Sequence, residues 1–304
     1  MHDLIIIGAG PAGLTAGLYA ARAGMDVVLL EKMFAGGQAA TTYLVENYPG
    51  FVEPIAGPEL MANFENQARR YGLDIKYEEV LELDIAGAVK KVKTDGNTYE
   101  AKAVILAMGA NPRELGLEKE RQFRGAGVSY CATCDGAFYK DKVVAVVGGG
   151  NTAVEDAVFL TRFARKVYLI HRRNELRATK AEQDKAFNNE KIHFIWNTVI
   201  EDIIGEQKVE GLKLKNNKTG EESQIEIDGL FVAIGTVPNS DIVKGLVAMD
   251  EYGYIITDEN MKTSVEGVFA AGDVRKTPVR QIVTAAADGA IAAVMAEKYI
   301  GDIR

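Results

Sequence analysis

Two glycine-rich segments predict an α/β protein with two Rossmann-like, three-layer dinucleotide-binding domains. The first segment begins at Leu4 and reads LIIIGAGPAG, and the second begins at Val143 and reads VVAVVGGGNTA. In both, a short apolar strand runs into G-x-G-x-x-G or G-x-G-x-x-A and then into a helix of small residues, which is typical of a βαβ nucleotide-binding unit. One fingerprint could be a plain glycine-rich turn, but the repeat of the whole pattern indicates two such units.

The glycines of each fingerprint have different tasks. The first permits the tight turn, the second lets a pyrophosphate approach the backbone, and the third position lets the helix pack closely on the strand. The pyrophosphate then lies at the helix N-terminus, where unpaired N–H groups and the helix dipole favour an anion. The residues assigned to nucleotide binding on this basis are Gly8, Gly10, Pro11, Ala12 and Gly13 in the first unit and Gly150 and Ala153 in the second.

The end of the second strand of each unit distinguishes the two nucleotides. In the first unit the strand ends at Glu31, where a carboxylate can accept a hydrogen bond from a ribose hydroxyl. In the second unit the strand is followed by His171, Arg172 and Arg173, and Arg177 lies just beyond. Guanidinium groups bind a 2′-phosphate through charge-assisted bonds, and a carboxylate there would repel it. The first site is therefore predicted to bind FAD and the second NADPH.

The basic cluster has an alternative interpretation as a solvated surface patch. Its position at the end of the second strand favours the phosphate interpretation for the three arginines. His171 could instead simply pack inside the domain.

Two apolar segments that echo each other indicate where one domain is inserted into the other. Residues 103–109 (AVILAMG) and 229–235 (GLFVAIG) each predict a strand that ends in glycine and is followed by Asn-Pro or Pro-Asn. Such residues punctuate structure, so the domain boundaries are predicted just beyond these strands. The predicted organisation is an FAD-binding domain over residues 1–115 and 242–304, with an NADPH-binding domain inserted over residues 116–241.

The last part of the FAD-binding domain contains another apolar strand, which ends at Gly272 and Asp273. Asp273 could cap a turn, but its place after the strand favours a hydrogen bond with a ribityl hydroxyl. Arg280 and Gln281 then precede a helix of small residues predicted over 282–299. The glycines that end the three apolar strands, Gly109, Gly235 and Gly272, are assigned to the cofactor sites.

The only two cysteines of the 304 residues, Cys131 and Cys134, lie in the hexapeptide CATCDG. A disulfide that closes a loop of about four residues would stabilise the fold by only roughly 2 kcal/mol before ring strain, so a redox disulfide is the better explanation. Two ordinary buried thiols are an alternative. A zinc site would need two more soft ligands, and the chain offers only scattered histidines, so no metal site is predicted. These histidines are His2, His171 and His193.

Asp135 directly follows the second cysteine and can act as a general acid and base, because a departing thiolate needs a proton. Its alternative role is to cap the helix that follows, and the two roles are compatible.

Composition excludes several classes of function. The formal net charge of -8 argues against nucleic-acid binding and against attachment to a membrane surface. No apolar run approaches the length of a membrane span. The sequence opens directly into a strand at Leu4 without a secretory signal, and a single C-x-x-C pair fits a reducing compartment. A cytoplasmic protein is therefore expected.

In combination and order, the motifs resemble the low-molecular-weight thioredoxin reductase family along the whole chain. They are GAGPAG, GGQ at 36–38, VENYPG at 45–50, CATCDG, GGGNTAVED, HRRNELRA and GVFAAGDV. The resemblance implies an FAD-containing, NADPH-dependent disulfide reductase that reduces thioredoxin and forms a homodimer. It further implies FAD contacts from Gly37, Gln38, Asn47, Asp273, Arg280, Gln281 and the adjacent Ile282, and contacts to the NADPH pyrophosphate from Asn151 and Thr152.

The resemblance also implies a division of labour between the cysteines. Cys134 would lie over the flavin ring, and Cys131 would be the thiolate that attacks the disulfide of the partner protein. Because the disulfide and the NADPH site belong to one inserted domain, and both must reach one flavin ring, this domain is expected to swivel on its two connections. The chain departs from the family pattern at Met108, where the family usually has Thr, so no hydroxyl contact is expected there.

Three other functions remain open from the sequence. The same chemistry could serve a different disulfide partner, such as a glutaredoxin-like or peroxiredoxin-linked protein. A flavin-containing redox sensor would not turn over. An NADPH–ferredoxin reductase of related fold would not need the cysteines.

Overall fold

The computed structural model describes residues 1–42 and 44–303 and has an α/β fold. The chain divides into two compact units. The outer unit comprises Met1–Asn111 and Val237–Arg304, and the inserted unit comprises Pro112–Thr236.

The elements of the first part of the outer unit are, in order, β1 (His2–Ile7), α1 (Pro11–Arg22), β2 (Val27–Glu31), α2 (Gly57–Arg70), β3 (Asp74–Tyr77), β4 (Val80–Asp84), β5 (Lys90–Thr94), β6 (Thr98–Leu106) and β7 (Ala110–Pro112). Those from there to the end of the inserted unit are α3 (Glu118–Gln122), β8 (Val128–Ser129), α4 (Ala132–Asp135), β9 (Val143–Val147), α5 (Asn151–Leu160), β10 (Lys166–Ile170), α6 (Lys180–Phe187), β11 (Ile192–Ile195), β12 (Thr198–Ile204), β13 (Gly211–Asn216), β14 (Glu222–Glu226), β15 (Gly229–Val232) and β16 (Thr236–Pro238). The outer unit ends with β17 (Val268–Ala270) and α7 (Ile282–Asp302).

The sheet of the outer unit has the order β3-β2-β1-β6-β5-β4, and β17 also pairs with β6. β1 lies parallel between β2 and β6, with Leu4 opposite both Val27 and Ala103. Its side chains alternate between two cores, as a sheet covered on both faces requires. Leu4 and Ile6 pack with residues of α1 and α7, and Ile5 and Ile7 pack on the other face.

The inserted unit repeats this plan. Its five-stranded sheet has the order β11-β10-β9-β15-β8, and its second sheet, β12-β13-β14, is antiparallel. Val144 and Val146 of β9 face a core that includes residues of α5 and α6, whereas Ala145 and Val147 face a core that includes residues of β12 and β13. Both units therefore have the predicted three-layer, Rossmann-like architecture.

The two passages of the chain between the units run through β7 and β16, which form a two-stranded sheet of their own. Gly109 and Gly235, the residues just before these strands, have φ angles of 67° and 108°. Side chains with a Cβ rarely adopt such angles, so glycine is needed at both positions.

No helix among the described residues combines the length and apolar character needed to cross a membrane. The same residues hold no group of three or more His, Cys, Asp or Glu side chains that could bind a metal ion.

Helix α7 crosses α1 at Gly289, and a Cβ there would lie only 2.1 Å from the carbonyl oxygen of Ala12. We expect Gly289→Ala to destabilise the protein by roughly 1–3 kcal/mol, because the overlap outweighs the better helix propensity of alanine. Gly301→Ala in the same helix is the matched control, since a Cβ there meets nothing within 4 Å. Denaturant unfolding should show a loss only for Gly289→Ala, and equal stability of the two variants would contradict the close-packing argument.

Candidate active site

The redox centre of the structure is a disulfide between Cys131 and Cys134, whose Cα atoms lie 5.3 Å apart. The disulfide favours the redox interpretation over two ordinary buried thiols and over a zinc half-site. Cys131 lies between β8 and the short helix α4, and its carbonyl oxygen accepts hydrogen bonds from the N–H groups of Cys134 (3.2 Å) and Asp135 (3.1 Å). A tight helical turn thus holds the two sulfurs together.

Ser129, the last residue of β8, fixes the backbone of Cys131. Its hydroxyl oxygen accepts a hydrogen bond from the Cys131 N–H at 3.1 Å and lies 3.3 Å from the Cys131 carbonyl oxygen. The hydroxyl of Thr133 lies 3.4 Å from the sulfur of Cys131. A hydroxyl at this distance can donate to a thiolate, which favours reaction at Cys131.

Asp135 follows the disulfide and is half-buried. Burial raises the pKa of its carboxyl group above the usual range, and a hydrogen bond from Ser129 opposes the shift. Although Asp135 occupies the cap position of the next helical turn, its side chain makes no capping hydrogen bond there. The side-chain geometry thus gives no support to the capping role, and the role in proton transfer stays a prediction.

The first fingerprint has the shape that a nucleotide requires. A Cβ on Gly13 would lie 1.8 Å from the carbonyl oxygen of Gly8, so α1 packs directly on the turn. A Cβ on Gly10, by contrast, would meet nothing within 4 Å, which leaves the helix N-terminus open for a phosphate. Pro11 and Ala12 are the first residues of α1. Glu31 lies beside this turn, where its carboxylate accepts hydrogen bonds from the N–H groups of Ala9 (2.8 Å) and Met33 (3.2 Å).

The structure brings together other predicted FAD residues that are far apart in the sequence. The amide of Asn47 donates to the side chain of Gln281 at 3.0 Å, across 234 residues. Gln281 also caps α7, which begins at Ile282. Gln38, which follows Gly37 in a short 3₁₀ turn, donates to Asn111 at 2.6 Å.

Sequence reasoning missed the continuation of this amide chain. Asn111 donates to the side chain of Asn239 at 3.1 Å, and Asn239 in turn donates to the carbonyl oxygen of Met108 at 2.9 Å. The sequence signal is the asparagine next to proline after each of the two similar strands, a pattern that by itself indicates only a turn.

Asp273 and Arg280 are partly buried polar residues of the outer unit. Burial raises the pKa of Asp273 to about 6, Arg280 opposes the shift, and Asp288 adds to it. The Nε of Arg280 is buried and has no hydrogen-bond partner among the described residues, while its guanidinium lies over the ring of Tyr254 at 4.3 Å. A buried donor without an acceptor is costly, so this geometry suits a bound polar ligand.

A second pair that sequence reasoning missed holds this segment in place. Arg275 donates to both carboxylate oxygens of Asp288, at 2.6 and 2.9 Å, and Asp288 also accepts the N–H of Gly272 at 3.1 Å. The available signal is that Asp288 is the one charged residue in positions 282–296, the largely apolar first part of α7.

The second fingerprint is built in the same way. A Cβ on Gly150 would meet nothing within 4 Å, and Ala153 is fully buried behind it. Asn151 accepts the N–H of Thr179 at 2.8 Å, and Thr152 is exposed on the first turn of α5.

The four residues of the predicted phosphate site converge. The N–H of Arg177 donates to the carbonyl oxygen of Gly149 at 2.6 Å, which brings this residue onto the fingerprint. His171 is buried, and this burial is the main reason why the pKa of its ring is lowered. The positive charges of Arg177, Arg172 and Arg173 lower the pKa further. The three arginines are exposed and form no ion pair with a carboxylate in the part of the chain that the structure describes. Clustered cations that lack acidic partners suit a doubly charged phosphate.

Comparison with known proteins agrees with this geometry. The family described as pyridine nucleotide-disulphide oxidoreductase matches residues 2–289. A thioredoxin reductase of Peptoclostridium litorale is 52% identical over 309 residues, which cover 100% of this chain and 98% of the relative.

Two solved structures are also similar to the chain. The thioredoxin reductase of Streptococcus pyogenes has a TM-score of 0.95 at 45% identity and covers 99% of both chains. The thioredoxin reductase of Lactococcus lactis in its FR conformation has a TM-score of 0.69 at 43% identity, covering 99% of this chain and 100% of that one. The chain therefore belongs to the pyridine nucleotide-disulphide oxidoreductase family and, within it, to the thioredoxin reductases.

Proposed function

We propose that this chain is an FAD-containing, NADPH-dependent thioredoxin-disulfide reductase. Family membership already implies a flavin and a pyridine nucleotide. The observation that carries the proposal is a disulfide next to a half-buried carboxyl group with a raised pKa, in the same unit as a fingerprint flanked by three arginines. In the overall reaction NADPH, a proton and the thioredoxin disulfide give NADP⁺ and the thioredoxin dithiol.

The outer unit is assigned to FAD. When bound, the flavin would accept two electrons from the nicotinamide and deliver them to the disulfide. Gly10 leaves room for the pyrophosphate, and Glu31 is held where a ribose hydroxyl would lie. Asp273 and the unpartnered Nε of Arg280 offer an acceptor and a donor to the rest of the cofactor.

The inserted unit is assigned to NADPH. Gly150 leaves the N-terminus of α5 open to the pyrophosphate, and the guanidinium groups of Arg172, Arg173 and Arg177 would bind the 2′-phosphate. Burial and the neighbouring arginines lower the pKa of His171, which favours its neutral form and limits the positive charge of this cluster.

The thiol steps follow from the geometry of the disulfide. Two electrons break the Cys131–Cys134 bond and leave the sulfur of Cys131 as a thiolate, while protonated Asp135 holds the proton for the thiolate that thioredoxin releases in the exchange that follows. The thiolate of Cys131, close to the Thr133 hydroxyl, attacks one sulfur of oxidised thioredoxin and releases the other as a thiolate. Cys134 then attacks Cys131, which re-forms the disulfide and releases reduced thioredoxin.

We also propose that the inserted unit turns on its two connections between the half-reactions, since disulfide and NADPH must reach the same flavin in turn. The glycines at positive φ before β7 and β16 support this proposal. Further support comes from the Lactococcus lactis relative, whose solved structure is distinguished as the FR conformation. A cytoplasmic homodimer is the assembly and location proposed.

The FAD assignment predicts an unusual phenotype for Gly10→Ala. The backbone of Gly10 (φ -75°, ψ -175°) accepts any residue, and a Cβ there meets nothing in the protein. We expect the apoprotein to unfold at the wild-type temperature but to bind FAD at least about tenfold more weakly, because the methyl group occupies the space for the pyrophosphate. Thermal unfolding of the apoprotein and FAD titration by fluorescence measure the two effects. Unchanged FAD affinity would contradict the assignment.

The proposed function itself is tested by anaerobic reduction of oxidised thioredoxin, followed as NADPH consumption. We expect NADPH to be preferred over NADH by at least about tenfold, because charge-assisted bonds to the 2′-phosphate contribute roughly 1.5–3 kcal/mol each. Arg172→Ala should reduce this preference, whereas Arg162→Ala should not, since Arg162 lies over the ring of Phe159 instead.

The variant Cys134→Ser separates flavin reduction by NADPH, which does not need the disulfide, from the reduction of thioredoxin, which does. The variant should still bleach its flavin with NADPH but should not reduce thioredoxin. Retained thioredoxin reduction would point to a reductase that does not need the cysteines, and NADPH consumption without thioredoxin reduction in the wild type would point to another partner.

The pKa of Asp135 predicts a shifted pH profile for Ser129→Ala. The hydrogen bond from Ser129 lowers a pKa that burial raises, so its removal should raise the pKa further. If protonated Asp135 donates the proton, the rate of exchange with thioredoxin falls as pH rises through this pKa. In Ser129→Ala this fall in rate should occur at a higher pH. Single-turnover exchange rates between pH 5 and 9 measure the position of this fall. Asp135→Asn should not show the fall in rate, and a fall that persists in that variant would contradict the assignment.

A further inference from the structure

Glu120 in α3 is a charged residue that no step of the proposed reaction uses, yet its relative exposure is 0%. A buried carboxylate is costly unless hydrogen bonds satisfy its oxygens. An apolar side chain would fill the same space at lower cost. The carboxylate must therefore contribute something that packing alone does not.

Three donors surround this carboxylate. The N–H of Leu115 donates to Oε1 at 2.9 Å, the N–H of Gly116 donates to Oε2 at 2.9 Å, and the hydroxyl of Tyr130 donates to Oε1 at 2.9 Å. The first two lie in the segment through which the chain enters the inserted unit after β7. The third belongs to the residue immediately before Cys131.

Tyr130 is held firmly as the donor of this group. Burial and the hydrogen bond to Glu120 raise the pKa of its phenol well above its usual range, so the proton stays on the phenol. The guanidinium of Arg124 lies over its ring at 5.1 Å. On the other side of Tyr130, Cys131 is fixed through its N–H by Ser129.

We propose that Glu120 and Tyr130 are positioning residues for thiol–disulfide exchange. Their hydrogen bond ties the backbone that enters Cys131 to residues 115–116, so that the sulfur pair keeps its place while the neighbouring connection bends. The proposal rests on the function proposed above.

Tyr130→Phe tests the proposal because it removes one hydroxyl and leaves Glu120 with its two backbone donors. Tyr99→Phe is the matched control, since Tyr99 donates to Glu78 at the same distance of 2.9 Å in the outer unit. We expect Tyr130→Phe to slow single-turnover exchange with thioredoxin by about threefold to tenfold, the range that one hydrogen bond gives. Flavin reduction by NADPH and the KM for NADPH should stay within twofold of wild type, and Tyr99→Phe should leave all three unchanged.

A second readout does not depend on the flavin. In protein reduced with dithiothreitol, the rate of Cys131 alkylation by iodoacetamide should rise by at least about threefold in Tyr130→Phe, because a half-buried thiolate gains access when its backbone is released. Slower exchange together with faster alkylation separates lost positioning from lost thiol reactivity. This measurement holds even if the wild type fails to reduce thioredoxin, so failure of the proposed function and failure of this proposal are distinguishable.

Glu120→Gln provides a second variant, because its amide N–H₂ would face one of the donors that now bind a carboxylate oxygen. It should show the same two changes to a larger extent. If this variant does not fold, Tyr130→Phe decides alone. Exchange and alkylation rates of Tyr130→Phe that equal those of Tyr99→Phe would overturn the proposal.

Discussion

Close packing of a helix on the turn before it is the constraint on which both units depend. In the outer unit α1 can approach the turn only because position 13 lacks a Cβ, and in the inserted unit Ala153 packs directly against Gly148. At the same two turns the space beside Gly10 and Gly150 is open, and the first N–H groups of a helix have no partner within the helix. The packing requirement and the proposed anion site are therefore features of the same backbone turn, which occurs in both units.

Polar groups that the fold buries mark the places where geometry matters most. Asp288 is neutralised by two bonds from Arg275 and fixes Gly272, whereas Glu120 is satisfied by three donors and fixes Tyr130. In each case a buried carboxylate holds a backbone segment next to a predicted site residue. Apolar packing resists compression but permits sliding, and hydrogen bonds with fixed partners remove that freedom.

Most of the features that the sequence could predict depend on patterns among residues close together in the chain. Fingerprint glycines, Glu31 and the cysteine pair act within one turn or one βαβ unit, so their spacing in the sequence was informative. Asn239 joins Asn111 across 128 residues, and Glu120 reaches Tyr130 only because α3 and β8 fold together. No periodicity encodes such pairs. The alternative role of Asp135 as a helix cap was plausible by position, and only side-chain geometry weakened it.

Asp135 and Asp273 are both partly buried, and their carboxyl groups illustrate how similar burial can serve different tasks. Burial raises the pKa of both carboxyl groups. The pKa of Asp273 is also lowered by the charge of Arg280 and raised by that of Asp288. Asp135 has no charged group among the causes of its shift and is balanced only by the Ser129 hydroxyl. A carboxyl group without a fixed counter-charge gains and loses a proton without breaking an ion pair. This makes Asp135, next to the disulfide, the better suited of the two to move protons in each turnover.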